Sequence, residues 1–279
     1  MSNERLVTDA PLAHLAYGSD GPLVVLLHGI GGGRAGWAST GTALAAAGFR
    51  ALAVDQPGYG ASPAVEPCTL AAMAGAVERL IEWSGAKDAI LVGHSMGGMV
   101  AQELAARAPQ RARALVLAAT SPAFGPSDGS WQQGFLRARF EPLDAGLGMA
   151  GLAAQLVPTM AGRDATPERV AAAERLMAGV PEATYRSVLA ALLRFDRRDA
   201  LSRIAVPTLV ITGEDDLTAP PEVARRMAAR IAGAELAILP RTGHLLMLEQ
   251  PDAFDAALLD FLQRHALARP EETVDVRRA

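Results

Sequence analysis

Short apolar segments recur along this chain, separated by stretches with helical periodicity. The clearest is Leu23–Leu27, a continuous apolar run within PLVVLLHG. A strand that is apolar at every residue, not at alternate ones, is buried on both faces, as in a parallel sheet covered by helices. Arg50–Val54, Ala89–Val92, Ala114–Ala118, Thr208–Thr212 and Glu235–Leu239 read as further strands. Leu6–Val7 and His14–Tyr17 add two short strands ahead of them. Helical periodicity covers Trp37–Ala47, Thr69–Ser84, Met96–Ala108, Pro221–Ile231 and Pro251–His265. The alternation predicts an α/β fold, with a mostly parallel eight-stranded twisted sheet and helices on both faces.

The alternation breaks once. Ser121 to Asp199 holds no convincing strand, only helical stretches near Trp131–Phe140, Ala145–Leu156, Pro167–Ala178 and Glu182–Arg194. An insertion at the carboxyl edge of a parallel sheet lies over the ligand crevice. The expectation is therefore a helical cap at 121–199, a core at 1–120 and 200–268, and a flexible tail at 269–279.

Composition narrows the function classes. Half of the 279 residues are hydrophobic and a fifth are charged, enough for a substantial core. The net charge is −4 with no basic stripe, which argues against a nucleic-acid partner. No segment approaches ~18 uninterrupted apolar residues, so no membrane partner is expected. The single cysteine, Cys68, cannot form an internal disulfide. The expectation is a cytoplasmic monomer or homodimer acting on a small molecule.

The stretch AILVGHSMGGMVAQELAARAP carries the chemistry. Gly93-His94-Ser95-Met96-Gly97 fits G-x-S-x-G, a nucleophile elbow, and stands between a strand and a helix as that motif requires. A serine hydroxyl is a poor nucleophile at neutral pH and needs a base within hydrogen-bond reach. Five histidines are available. His14 lies on an early strand, His265 ends the last helix, His28 starts a glycine-rich loop, and His94 is locked in the elbow. His244 remains, in PRTGHLLMLEQP after the final strand, and its loop opens on the same sheet edge as Ser95. The base needs a carboxylate to orient it. TLVITGEDDLTAPPE offers Glu214, Asp215 and Asp216 after the preceding strand. An oxyanion formed by attack on an ester needs two preorganised donors. The N–H of Met96, at a helix start, and that of Ile30, in the glycine run His28–Gly33, are the candidates. Trp131, Phe135 and Phe140 are candidates to line an acyl pocket, or else form the core of the cap. No zinc spacing, H-E-x-x-H, P-loop or dinucleotide fingerprint is present, so neither metal nor cofactor is expected.

Taken together, LLHGIGGG, VDQPGYGAS, LVGHSMGGMVAQELA, ITGEDDLTAPPE and PRTGHLLMLEQPDAF resemble the α/β-hydrolase superfamily, in its order, from about Leu23 to Arg264. The chain looks most like its capped esterases, enol-lactone hydrolases and cofactor-free haloperoxidase-like enzymes. The resemblance implies a Ser95–Asp216–His244 triad, because the family's acid stands three residues after the strand-end glycine and four before a proline. Gly213 and Pro220 put Asp216 there, with Asp215 as the alternative. Two departures stand out. Many members carry Asp-x-Arg-Gly where this chain has Asp55-Gln56-Pro57-Gly58, so a local ion pair is expected to be missing. Ring-cleavage C–C hydrolases commonly have asparagine before the serine and tryptophan after the histidine, whereas here His94 and Leu245 stand there. The expected activity is hydrolysis of a small carboxylic ester or lactone through an acyl-enzyme. The alternatives are C–C hydrolysis of ring-fission products and a non-catalytic small-ligand receptor on the same fold.

Overall fold

The fully apolar runs do become the centre of a sheet. The computed structural model describes residues 4–125 and 129–265, so the expected tail at 269–279 lies outside the described residues. Its strands are β1 (Arg5–Val7), β2 (His14–Tyr17), β3 (Leu23–Leu27), β4 (Arg50–Val54), β5 (Ala89–His94), β6 (Ala112–Ala118), β7 (Thr208–Gly213) and β8 (Glu235–Leu239). They form one eight-stranded sheet in the order β1-β2-β4-β3-β5-β6-β7-β8. Pairing is parallel from β4 across to β8, and only β2 opposes its neighbours.

Alternate residues of each central strand enter opposite layers. Val25, Leu27, Leu91 and Leu115 pack with helices α2 (Leu70–Trp83) and α3 (Met96–Arg107). Val24, Leu26, Ile90 and Val116 pack on the other face. There they meet Leu44 of α1 (Ala38–Ala46) and Phe254, Leu258 and Phe261 of the C-terminal helix. Burial of these side chains, at roughly 25 cal/mol per Å² of apolar surface, drives the layering. The expected helix 37–47 is divided. Arg34–Trp37 is a 3-10 turn that buries Trp37 against Phe254, and α1 follows it.

Between β6 and β7 the chain is helical: α4 (Ser130–Asp144), α5 (Gly148–Met160), α6 (Pro167–Ala178) and α7 (Glu182–Leu192). The two ends of this segment are joined. Ala123 bridges Asp196, and the N–H of Arg197 donates to Pro122 O at 2.7 Å. Beyond β7 come α8 (Pro221–Ala228), shorter than the expected 221–231, then α9 (Leu246–Glu249) and α10 (Pro251–Arg264). The short α9 has no counterpart among the sequence expectations. Among the described residues, no helix is long and apolar enough to cross a membrane.

The strand order creates the crevice. From β3 the chain moves to β4 on one side, then returns to β5 on the other. The loops after β3 and β5 therefore diverge at their carboxyl ends, where open α/β sheets bind ligands.

Candidate active site

Ser95 sits at that divergence. Strand β5 runs two residues past the expected Val92, and Gly93 pairs with Leu27 and Leu117. The chain then reverses at once. Ser95 has φ 51° and ψ −117°, a region that costs a non-glycine residue about 1–3 kcal/mol. The surroundings enforce it. Ser95 N–H donates to Ala118 O at 2.8 Å, and Ser95 O accepts from the Thr120 hydroxyl at 2.7 Å and from Gly98 N–H at 3.0 Å. A Cβ at Gly93 would overlap the carbonyl of Gly97, and one at Gly97 would overlap that of Leu27. Glycine is required there because strand, helix and neighbouring loop approach backbone to backbone. The Ser95 side chain lines a cavity of about 630 Å³, together with Ile30, Met96 and His244.

His244 is fixed through its backbone as well as its ring. Its Nδ1 lies 2.9 Å from Asp216 Oδ2, both side chains being buried. A carboxylate only accepts, so Nδ1 carries the proton and the Nε2 lone pair is available as a base. The other oxygen of Asp216 accepts the N–H groups of Thr218 and Ala219, each at 2.8 Å. Burial works against the Asp216 charge. The imidazole and these two amides outweigh it and hold the carboxyl below its ordinary range. His244 N–H donates to Met160 O, and His94 Nε2 lies 2.8 Å from the His244 carbonyl. His94 is therefore the Nε2–H tautomer. Burial, reinforced by the neighbouring imidazole, pushes it down to about 3. Ser95 Oγ makes no hydrogen bond to the imidazole in this structure. Catalytic bonds are often long before substrate binds.

Glu249 supports the same loop, and the sequence reading passed over it. Its Oε2 accepts from Gly243 N–H and Gly162 N–H, each at 2.8 Å, and its Oε1 accepts from Leu245 N–H at 2.9 Å. One buried carboxylate thus grips the amides on both sides of His244 and that of Gly162, just past the end of α5. No side-chain motif signals this, because all three donors are backbone.

The glycine-rich loop is held from below. His28 Nε2 accepts from Gln56 N–H at 3.1 Å, so its Nδ1–H donates to Gly29 O at 2.7 Å. Burial lowers the His28 imidazole to about 4. The Tyr59 hydroxyl donates to Ile30 O at 3.0 Å. The N–H groups of Ile30 and Met96 enter no backbone hydrogen bond, and both residues line the cavity. The ion pair expected to be missing at Asp55 is present, supplied from elsewhere in the chain: Arg34 donates to Asp55 through its side chain and its N–H.

Other candidates separate. Asp215 is bound to the exposed Arg163, and Glu214 accepts the N–H of Arg241 at 2.9 Å. Trp131 and Phe135 line the cavity and stack with Phe124, with centroids 4.9–5.4 Å apart. Phe140 does not line it. One turn and more beyond Phe135 on α4, it faces the core, with the Arg186 guanidinium over its ring at 5.2 Å. Cys68 lies outside the cavity, and burial raises its thiol above the usual range, so it is a poor nucleophile.

A strained serine, a buried histidine–aspartate pair and two residues whose amides enter no backbone hydrogen bond thus border one cavity. Sequence comparison gives the family. Residues 22–251 match the family described as the alpha/beta hydrolase fold, and the chain belongs to that family. It is 35% identical over 253 residues to a pimeloyl-[acyl-carrier protein] methyl ester esterase of Nitrosospira multiformis, a match covering 87% of this chain and 95% of the relative. Among solved structures, it resembles an enol-lactonase from Burkholderia xenovorans at 30% identity and TM-score 0.80, covering 93% of this chain and 100% of that one. A hydrolase from Pseudomonas aeruginosa matches at 32% identity and TM-score 0.81, covering 93% and 98%.

Proposed function

We propose that this protein is a serine hydrolase that cleaves a small carboxylic ester or lactone through an acyl-enzyme. The observation that carries the reading is the buried His244–Asp216 hydrogen bond, opening on the same cavity as Ser95. Ser95 Oγ adds to the carbonyl carbon while its proton passes to His244 Nε2. The carbonyl oxygen becomes an oxyanion held by the N–H groups of Ile30 and Met96. Losing one such donor typically costs about 2.7–4 kcal/mol of transition-state stabilisation. The tetrahedral species collapses, the C–O bond to the leaving group breaks, and the alkoxide takes the proton from His244. Water then adds to the acyl carbon and gives its proton to the same nitrogen. The second collapse returns that proton to Ser95 Oγ and releases the acid. Asp216 keeps the Nδ1–H tautomer throughout and stabilises the imidazolium.

The helical segment 121–199 acts in this reading as a cap. Trp131, Phe135, Leu156, Met160, Met177 and Tyr185 form the upper wall of the cavity, and the elbow and glycine loop form its floor. The ester-hydrolase names among the relatives point the same way, as does the enol-lactonase among the structural neighbours.

Ser95→Ala is expected to lower kcat for p-nitrophenyl esters by roughly 10⁴–10⁶ and to abolish labelling by a fluorophosphonate, with the fold retained. Ester turnover surviving in that variant would remove Ser95 as the nucleophile.

A further inference from the structure

One charge in the cavity wall is withdrawn from solvent and, among the described residues, has no ion-pair partner. Arg139, on α4, lines the cavity and is half-buried. Its Cζ sits 3.2 Å from the centroid of Phe135, and Nη1 donates to Phe135 O at 3.0 Å. Among the described residues it makes no ion pair, and besides Phe135 O its hydrogen-bond partner is the neighbouring Tyr185 hydroxyl, which leaves its five N–H donors without a carboxylate acceptor. The other arginines lining the cavity, Arg198, Arg226 and Arg230, are exposed. Beside Arg139 stands the buried Tyr185 phenol, which also lines the cavity.

Stacking on an aromatic face offsets part of the cost of withdrawing a guanidinium from water, but not all of it. Burial pulls the Arg139 guanidinium below its ordinary range, and the neighbouring phenol opposes that shift. Planar donors aimed at a mostly apolar enclosure match a carboxylate, which a guanidinium binds through two parallel hydrogen bonds.

We propose that Arg139, assisted by the Tyr185 hydroxyl, forms an anion subsite in the substrate cavity, and that the ester or lactone cleaved at Ser95 carries a free carboxylate. The inference rests on the hydrolase reading above. It narrows the substrate class: one end of the molecule presents the scissile carbonyl to Ser95, and the other presents its charge to α4.

The test compares kcat/KM for paired esters of equal length. One arm uses p-nitrophenyl monoesters of C4 to C7 dicarboxylic acids against the corresponding monocarboxylic esters. The other uses acetate esters of ω-hydroxy carboxylic acids against alkyl acetates, which places the charge on the alcohol side. The carboxylated member is expected to be preferred by about 10–100-fold in at least one arm. Arg139→Leu is expected to collapse that ratio to near one, and Arg139→Lys to keep part of it. If the variants fail to fold, inhibition of the wild-type enzyme decides: a dicarboxylate should inhibit neutral-ester hydrolysis at least tenfold better than the monocarboxylate of equal length. No preference for the charged member, equal inhibition by the two acids, or a preference that survives Arg139→Leu overturns the subsite. Turnover of both ester types that survives Ser95→Ala would instead overturn the hydrolase reading, so the two failures are distinguishable.

Discussion

Asp215 and Asp216 are adjacent in sequence, yet their side chains leave the loop in opposite directions. The Asp215 carboxylate points to solvent, where the Arg163 side chain holds it to about 2. Asp216 turns inward to the imidazole and to two amides. Asn at 216 preserves shape but can offer Nδ1 an N–H, which favours the tautomer with a proton on Nε2. That form cannot accept the proton of Ser95. Asp216→Asn is therefore expected to lower kcat by about 10⁴ with little change in folding, and Asp215→Asn by no more than a few-fold. Steady-state kinetics on one neutral ester checks both, and the reverse order would move the orienting role to Asp215. The family spacing favours Asp216, but the residues alone leave Asp215 as an alternative, because each acid follows the same strand. A one-residue step reverses the direction of a side chain, and only the turn resolves it.

At the scale of elements, the site depends on how the His244 loop is tied to its neighbours. Glu249, closing α9, holds Gly243, Leu245 and Gly162, and so links the sheet core to the end of α5. Bonds of this kind, with a charged acceptor, contribute about 1.5–3 kcal/mol each. Glu249→Gln replaces one acceptor oxygen by an NH₂ that faces an N–H group. It is expected to lower the unfolding free energy by about 1–3 kcal/mol and to reduce kcat more than it raises KM, because the His244 ring loses its anchorage. Urea unfolding and ester kinetics would show it, and a variant unchanged in both would deny Glu249 this role. The elbow was legible in the sequence because strand, glycine, serine and helix are contiguous. Glu249 was not, because its partners are backbone amides that any residue type supplies. Phe140 misled for a related reason. Its aromatic character suggested the cavity, but its position on α4 sets its direction, and the ring faces the core.

At the scale of the molecule, buried histidines make stability depend on pH. His94 and His28 titrate near 3 and 4 in the folded protein, chiefly because burial disfavours their charged forms, and burial lowers His14 as well. An unfolded chain binds protons at these side chains from about pH 6.5 downward, and the native state does not. Stability is therefore complete above that pH. It falls as pH drops toward 4, by up to about 1.4 kcal/mol per pH unit for each such histidine. The depressed carboxyl of Asp216 adds a further loss below the ordinary carboxylate range. Asp255, raised by burial against the hydroxyl bonds of Thr40 and Ser39, works in the opposite sense. The urea midpoint is expected to decline steadily between pH 6.5 and 4.5, and a flat profile there would contradict neutral buried imidazoles. The sequence by itself determined the sheet, its helical layers and the segments bearing Ser95 and His244, because periodicity and turn chemistry are local. Only the tertiary structure showed that Asp216, as the resemblance implies, meets the imidazole, which arginine pairs with Asp55, and that Arg139 stands in the cavity wall with no ion pair among the described residues. Each of those depends on side-chain directions between segments far apart in the chain, and packing alone sets them.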